Sequence, residues 1–194
     1  LIEGNGEVSV TIIDEDGKVV ATGSGANGEI KIPNVKLWQP GKAYLYKFEV
    51  AVSENGKQVD LYSLNVGVRT VEVKGQEFLI NGEPFYFTGF GMHEDHVVLG
   101  KGHSNQFLVN DFELLKWVGA NSFRTSHYPY AEEVLDYADR HGIVVINETA
   151  AVGLNLLIGG ILSTLQGIPD ELYSEQGASS ITQETHKQAI KELI

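Results

Sequence analysis

The chain has no cysteine. That excludes disulfide bridges and thiolate metal sites, and it fits a reducing compartment. Cations are also scarce: 14 Lys and Arg stand against 26 Asp and Glu, a formal net charge of -12. A field of that sign repels nucleic acid and anionic lipid surfaces, so neither is an expected partner. An acidic substrate would need cationic groups gathered locally. No apolar run is long enough to cross a bilayer.

What is present supports a real core. The 194 residues are 42% hydrophobic, which suits one or two domains. The first residue is Leu1, not Met, and Ile194 falls inside a helical pattern, so the chain reads as a piece of a longer polypeptide. Residues 1 to about 70 are β-rich. Val8, Val10 and Ile12 alternate with Glu7, Ser9 and Thr11, and Tyr44, Tyr46, Phe48 and Val50 share one face of a later strand. Asp16-Gly17, Asn27-Gly28 and Asn55-Gly56 are hairpin-turn dipeptides. Short strands at this spacing predict an immunoglobulin-like β-sandwich over 1–70.

The pattern changes after Thr70. Phe78–Pro84 reads as a small hairpin, and Phe85–Phe90 as an apolar strand covered on both faces. A helix follows, with Leu108, Asp111, Leu114, Leu115 and Val118 on its stripe and Gly119 as its cap. Then come a strand at 121–125, a helix from about Ala131 capped by Gly142, a buried strand at 143–146 and a helix from about Thr182. Strands alternating with helices predict a parallel sheet, here the first three βα units of a (β/α)8 TIM barrel over 71–194. A doubly wound sheet is the runner-up, but no Gly-rich phosphate loop follows any of these strands. Residues 149–181 form a long connection, a length that is usually functional or disordered.

The chemistry collects at three strand ends. His93-Glu94-Asp95-His96 follows the first, Arg124-Thr125-Ser126-His127-Tyr128 the second and Asn147-Glu148 the third. In a barrel these ends share one rim, which would gather imidazole, guanidinium and carboxylate into one cleft. Arg124 can serve as a buried cation paired with Glu148 or Asp95, as a substrate contact, or as both. His127 reads as rim-facing and ligand-contacting. His96 and His103 read as solvated loop residues, and Tyr128 and Tyr130 as packing residues. The spacing His93-x-x-His96 departs from the His-x-His pair of barrel metallohydrolases, so a metal centre is the weaker reading and no cofactor is expected.

The run Asn121-Ser122-Phe123-Arg124-Thr125-Ser126-His127-Tyr128-Pro129, continued by Val134-Leu135, Asp139, Gly142 and the apolar 143–146, resembles the first signature of glycoside hydrolase family 2. Within it, Phe85–Gly91, His93-Glu94-Asp95, Thr125–Glu133, Glu148–Gly153 and Glu171–Glu175 are similar to the bacterial β-glucuronidases. The resemblance implies retaining hydrolysis of β-D-glucuronides by a cytoplasmic homotetramer. It implies sugar contacts from His127 and, in an active-site loop after Val152, from Asn155 and Ile158. Arg124, His93, Asp95 and Glu148 would support the site. Both catalytic glutamates would come from later barrel strands, beyond Ile194, so none of the glutamates here takes those roles. Asn147 stands where relatives usually carry Asp. Alternatives are a β-galactosidase or β-mannosidase of the same family, or a non-catalytic carbohydrate-binding relative.

Overall fold

A computed structural model describes residues 6–150 and 179–193. The first sheet is built from β1 (Glu7–Ile13), β2 (Val19–Ser24), β3 (Tyr46–Glu54) and β4 (Lys57–Val66), antiparallel throughout, in the order β2-β1-β3-β4. The turns around Gly17 and at Asn55-Gly56 close its hairpins, the latter with both residues at positive φ as that dipeptide favours. Asn27-Gly28 makes no hairpin. β1 pairs with β3 from Glu7↔Ser53 to Ile13↔Lys47, so β2 and β3 lie on opposite sides of β1 and the chain between them crosses over instead of turning back. Among the described residues of this region this four-stranded sheet is the one sheet present. Ile30 and Ile32 of the crossover lie over Val10, Ile12, Phe48 and Val50 along a cleft of about 440 Å³.

A three-stranded antiparallel unit follows, β5 (Val71–Lys74), β6 (Glu77–Ile80) and β7 (Glu83–Pro84). The apolar run after it is not one strand. Only β8 (Gly89–Met92) is extended in a sheet, while Phe85 and Phe87 pack edge-to-face with Phe78 and Tyr86 is 85% exposed. The cause is Asn121. Its Nδ2 donates to the Tyr86 carbonyl and its Oδ1 accepts from Thr88 N, so a side chain takes backbone bonds that a ladder would otherwise use. Nor is β8 covered on both faces, since Phe90 is 47% exposed.

The parallel sheet comprises β8, β11 (Ser122–Thr125) and β12 (Val144–Ile146), with β11 in the middle, paired in sequential order as neighbouring barrel strands are. A small ribbon, β9 (Asp95–His96) with β10 (Gly100–Lys101), rises just after β8. The crossovers are α1 (Asn105–Trp117) and α2 (Glu132–His141), and α3 spans Ser179–Leu193. Met92, Leu108, Phe112, Leu115, Phe123, Tyr130, Val134, Ala138 and Ile143 form the core between helices and sheet. Leu114 and Val118 are not in it. Phe112 completes the buried stripe with Leu108 and Leu115, whereas Leu114 sits roughly 120° around the helix from Leu108 and points out.

The N-terminal sheet region docks on the C-terminal end of α2. Trp38 Nε1 donates to the Asp139 carbonyl at 2.8 Å, Arg69 bridges Asp139 at 3.0 Å while lying over the Trp38 ring, and Gly41 N donates to the Gly142 carbonyl at 2.8 Å. Burial holds the Asp139 carboxyl above its ordinary range although Arg69 pulls it down.

Gly142 is needed twice. Its φ is 68°, and a Cβ there would meet Gly41 N at 2.5 Å. Gly119 ends α1 with φ 77° but faces open space. In the full-length protein Gly119→Ala is therefore expected to cost about 1 kcal/mol, the left-handed penalty alone. Gly142→Ala should cost about 2 kcal/mol or more, because the docking contact must also shift. Thermal melts of the two variants check this, and equal losses would remove the docking role from Gly142.

Candidate active site

The site forms where the three parallel strands end. Arg124 lies on the sheet face opposite Phe123, because successive strand residues alternate and Phe123 faces the helices. On the neighbouring strand Arg124 pairs with Gly91. A Cβ at Gly91 would lie 2.6 Å from Ser126 Oγ and 3.0 Å from Arg124 Nη2. The missing side chain is what lets the guanidinium cross the sheet, and glycine inside a strand is the local signal of such an approach.

Arg124 Nη1 donates to Glu148 Oε2 in a close ion pair, and the same nitrogen is 3.3 Å from His127 Nδ1. Glu148 Oε2 is 3.5 Å from that Nδ1. The two neighbours ask opposite things of the imidazole. Arg124 needs a lone pair on Nδ1, while Glu148 would take a proton from it. The guanidinium contact is the closer of the two, and it favours the tautomer with its proton on Nε2. Of the two carboxylates offered to Arg124 by sequence, Glu148 is thus the one it holds.

His93 follows β8 and meets His127 edge-to-face, with ring centroids 5.6 Å apart. Asp95 lies in β9 across from Lys101, so the structure places it on the rim ribbon and not in the Arg124 cluster. The ribbon is fastened at its base. Gly102 N donates to the Glu94 carbonyl at 2.9 Å, and Lys101 Nζ sits over the Tyr128 ring at 5.0 Å. His96 is not simply solvated: it stacks on Phe107 at 4.1 Å. His103 Nε2 is 2.8 Å from Asn105 Oδ1. Among the described residues no three His, Asp or Glu side chains converge as metal ligands.

Tyr130 packs in the core, its single phenolic proton shared between the carbonyls of Met92 and Ser126. Burial pushes its phenol up to about 12. Burial also raises Tyr128, with the Glu94 carboxylate adding to the effect. Asn155 and Ile158 lie outside the described residues. Two contributors, Gly91 and Thr125, stand in the motifs named from sequence but had no role assigned there. Thr125 Oγ1 accepts from Glu148 N at 2.9 Å and donates to Asn147 Oδ1 at 3.1 Å. Thr149 Oγ1 reaches His186 Nε2 of α3 at 3.4 Å, tying that helix to the same rim. No helix among the described residues is long and apolar enough to cross a membrane.

A cluster of this kind can hold and orient a polar ligand. It offers imidazole edges on a strand-end frame whose guanidinium is already paired with Glu148.

Comparison with known proteins gives the frame a context. The model described as "Glycosyl hydrolases family 2, TIM barrel domain" matches residues 71–194, and that described as "Glycosyl hydrolases family 2" matches residues 2–69. A β-glucuronidase of Paenibacillus borealis is 50% identical over 190 residues, covering 97% of this chain and 30% of its own length. That of Canis lupus familiaris is 52% identical over 159 residues, covering 78% of this chain and 24% of its own length. The structure of a β-glucuronidase from Ruminococcus gnavus in complex with D-glucuronic acid superposes with a TM-score of 0.75 at 42% identity, covering 77% of this chain and 26% of that one. The chain thus spans less than a third of the length of these relatives.

Proposed function

The chain belongs to glycosyl hydrolase family 2, and from that premise we propose that the protein carrying it hydrolyses β-D-glucuronides with retention of configuration. The observation that carries the reading is the Arg124–Glu148–His127 cluster at the strand ends. It occupies the barrel end where substrates bind, in a chain whose relatives are named for this activity.

In a retaining glycosidase one carboxylic acid protonates the leaving oxygen and a second carboxylate attacks the anomeric carbon. Glu148 fills neither role here, because its Oε2 is held by Arg124 and faces His127. The two reacting glutamates come from later barrel strands. This chain's residues bind and orient. His127 meets the sugar with the Nε2 side of a ring fixed through Nδ1, and His93 packs against that ring. Arg124 and Glu148 supply a near-neutral floor. Asp95 supports the rim ribbon, and Asn155 and Ile158, which lie outside the described residues, are read as further sugar contacts on the family resemblance alone. An immunoglobulin-like domain ending near Thr70 and a barrel beginning near Val71 complete the reading, with a cytoplasmic homotetramer as the working form.

A consequence concerns the uronic carboxylate. Arg124 is already paired with Glu148 and the chain is strongly acidic, so Arg124 is not the cation that selects a uronic acid in this reading, and that cation comes from another part of the protein. Full-length protein is expected to release aglycone from an aryl β-D-glucuronide at least ~100-fold faster, in kcat/KM, than from the matching β-D-galactoside. That is the discrimination a paired versus an absent charge supports. Preference for the galactoside would move the protein to another branch of the family, and turnover of neither would favour a binding role.

A further inference from the structure

We infer that Thr125 is a positioning residue whose hydroxyl sets Glu148, and through it Arg124 and His127, for the reaction proposed above, an inference that rests on that reading for its catalytic part. The side chain is fully buried at 0% exposure, so solvent cannot stand in for its bonds. A hydroxyl has one proton. Glu148 N–H can only donate, so the Thr125 oxygen accepts it at 2.9 Å and spends its own proton on Asn147 Oδ1 at 3.1 Å. One group therefore fixes both residues that follow β12.

The position matters. The β11–β12 ladder ends at the pair Arg124↔Ile146. Beyond it, Thr125 continues the connection with a side chain where backbone pairing stops. Glu148 is consequently held at both ends, its N–H by Thr125 and its carboxylate by Arg124, which precedes Thr125 in the sequence. The bond also accounts for how Asn147 is used: its amide oxygen is the acceptor that an Asp would equally supply, while the neutral group adds no second anion beside Glu148. A merely satisfied buried hydroxyl would influence stability. A positioning hydroxyl must also influence turnover by folded protein and the protection of the Glu148 amide.

The test uses full-length protein as wild type, Thr125→Val and Thr125→Ser, each confirmed folded by its thermal melt. Val keeps the shape without the hydroxyl, and Ser keeps the hydroxyl. Thr125→Val is expected to lower kcat on an aryl β-D-glucuronide by about 10- to 100-fold, the scale of a displaced catalytic frame, with a smaller change in KM. Thr125→Ser should restore kcat to within about threefold of wild type, since it keeps the donor and acceptor. Hydrogen–deuterium exchange of the peptide spanning Ile146–Ala150 should quicken in the Val variant and not in the Ser variant. Retained kcat in folded Thr125→Val, or unchanged exchange at Glu148, overturns the inference. If Thr125→Val does not fold, Thr125→Cys, with a weakly bonding thiol, is judged by the same two readings. An inactive wild type would sink the glucuronide assignment alone, and the exchange result would then decide the role of Thr125.

Discussion

Expressed by itself, the 194-residue chain is expected to release no product from an aryl β-D-glucuronide, even at concentrations where the full-length protein turns it over readily. The reason is chemical. Retention requires two carboxyl groups about 5–5.5 Å apart across the bond to be broken, one protonated and one free to attack. The rim of this chain offers Glu94, Asp95 and Glu148. Glu148 is committed to Arg124, Asp95 stands on the rim ribbon, and the Glu94 side chain is only 13% exposed. With both reacting carboxylates supplied by other barrel strands, covalent and acid catalysis are missing together, so the expected result is a blank and not a slow enzyme. Steady-state release of aglycone, compared with a buffer control, decides it. Measurable turnover by the purified chain would place the reacting carboxylates among its own residues and overturn the division of roles proposed here.

Replacing Arg124 by alanine in the full-length protein should lower kcat/KM by roughly 100-fold or more, as misplacing the groups around a reacting centre does. Three consequences combine. Glu148 loses its cation, His127 loses the donor that fixes its Nδ1, and a space opens over Gly91. Arg124→Lys keeps the charge but not the planar fork that serves Glu148 and His127 together, so it should recover only part of the loss. Because Arg124 and Glu148 act as one unit, Arg124→Ala with Glu148→Gln should cost little more than Arg124→Ala alone. Kinetics of the two single variants and the double variant measure this. Fully additive losses would show that the ion pair is not the route by which Arg124 acts. The pair is about one-third exposed on both sides, so its value lies in orientation more than in stability.

The elements that sequence made legible are those governed by neighbours in the chain. Asn55-Gly56 closes its hairpin because both residues accept positive φ. The helix α2 lies where Val134 and Ala138 repeat at helical spacing and Gly142 stops it. The alternation of β8, α1, β11, α2 and β12 follows from such signals, and with it the rim that collects His93, Arg124, His127 and Glu148. Local pattern failed where a distant group changed the outcome. Phe85–Thr88 is apolar enough for a strand, yet Asn121 captures its backbone from 33 and 35 residues away. The helical stripe took in Leu114 and left out Phe112, and only the placement of the sheet decided which face of α1 is buried.

The family signature and the arrangement of strands and helices were therefore determined by the sequence itself, because side-chain periodicity and turn chemistry act over a few residues. Tertiary structure decided which carboxylate Arg124 holds, why Gly91 is empty, and that Thr125 anchors Glu148. Those contacts join residues 23 to 33 positions apart, between Thr125 and Glu148 or Gly91 and Arg124. No spacing rule in the chain fixes them. They exist because parallel strands set three separate segments side by side with their ends on one rim.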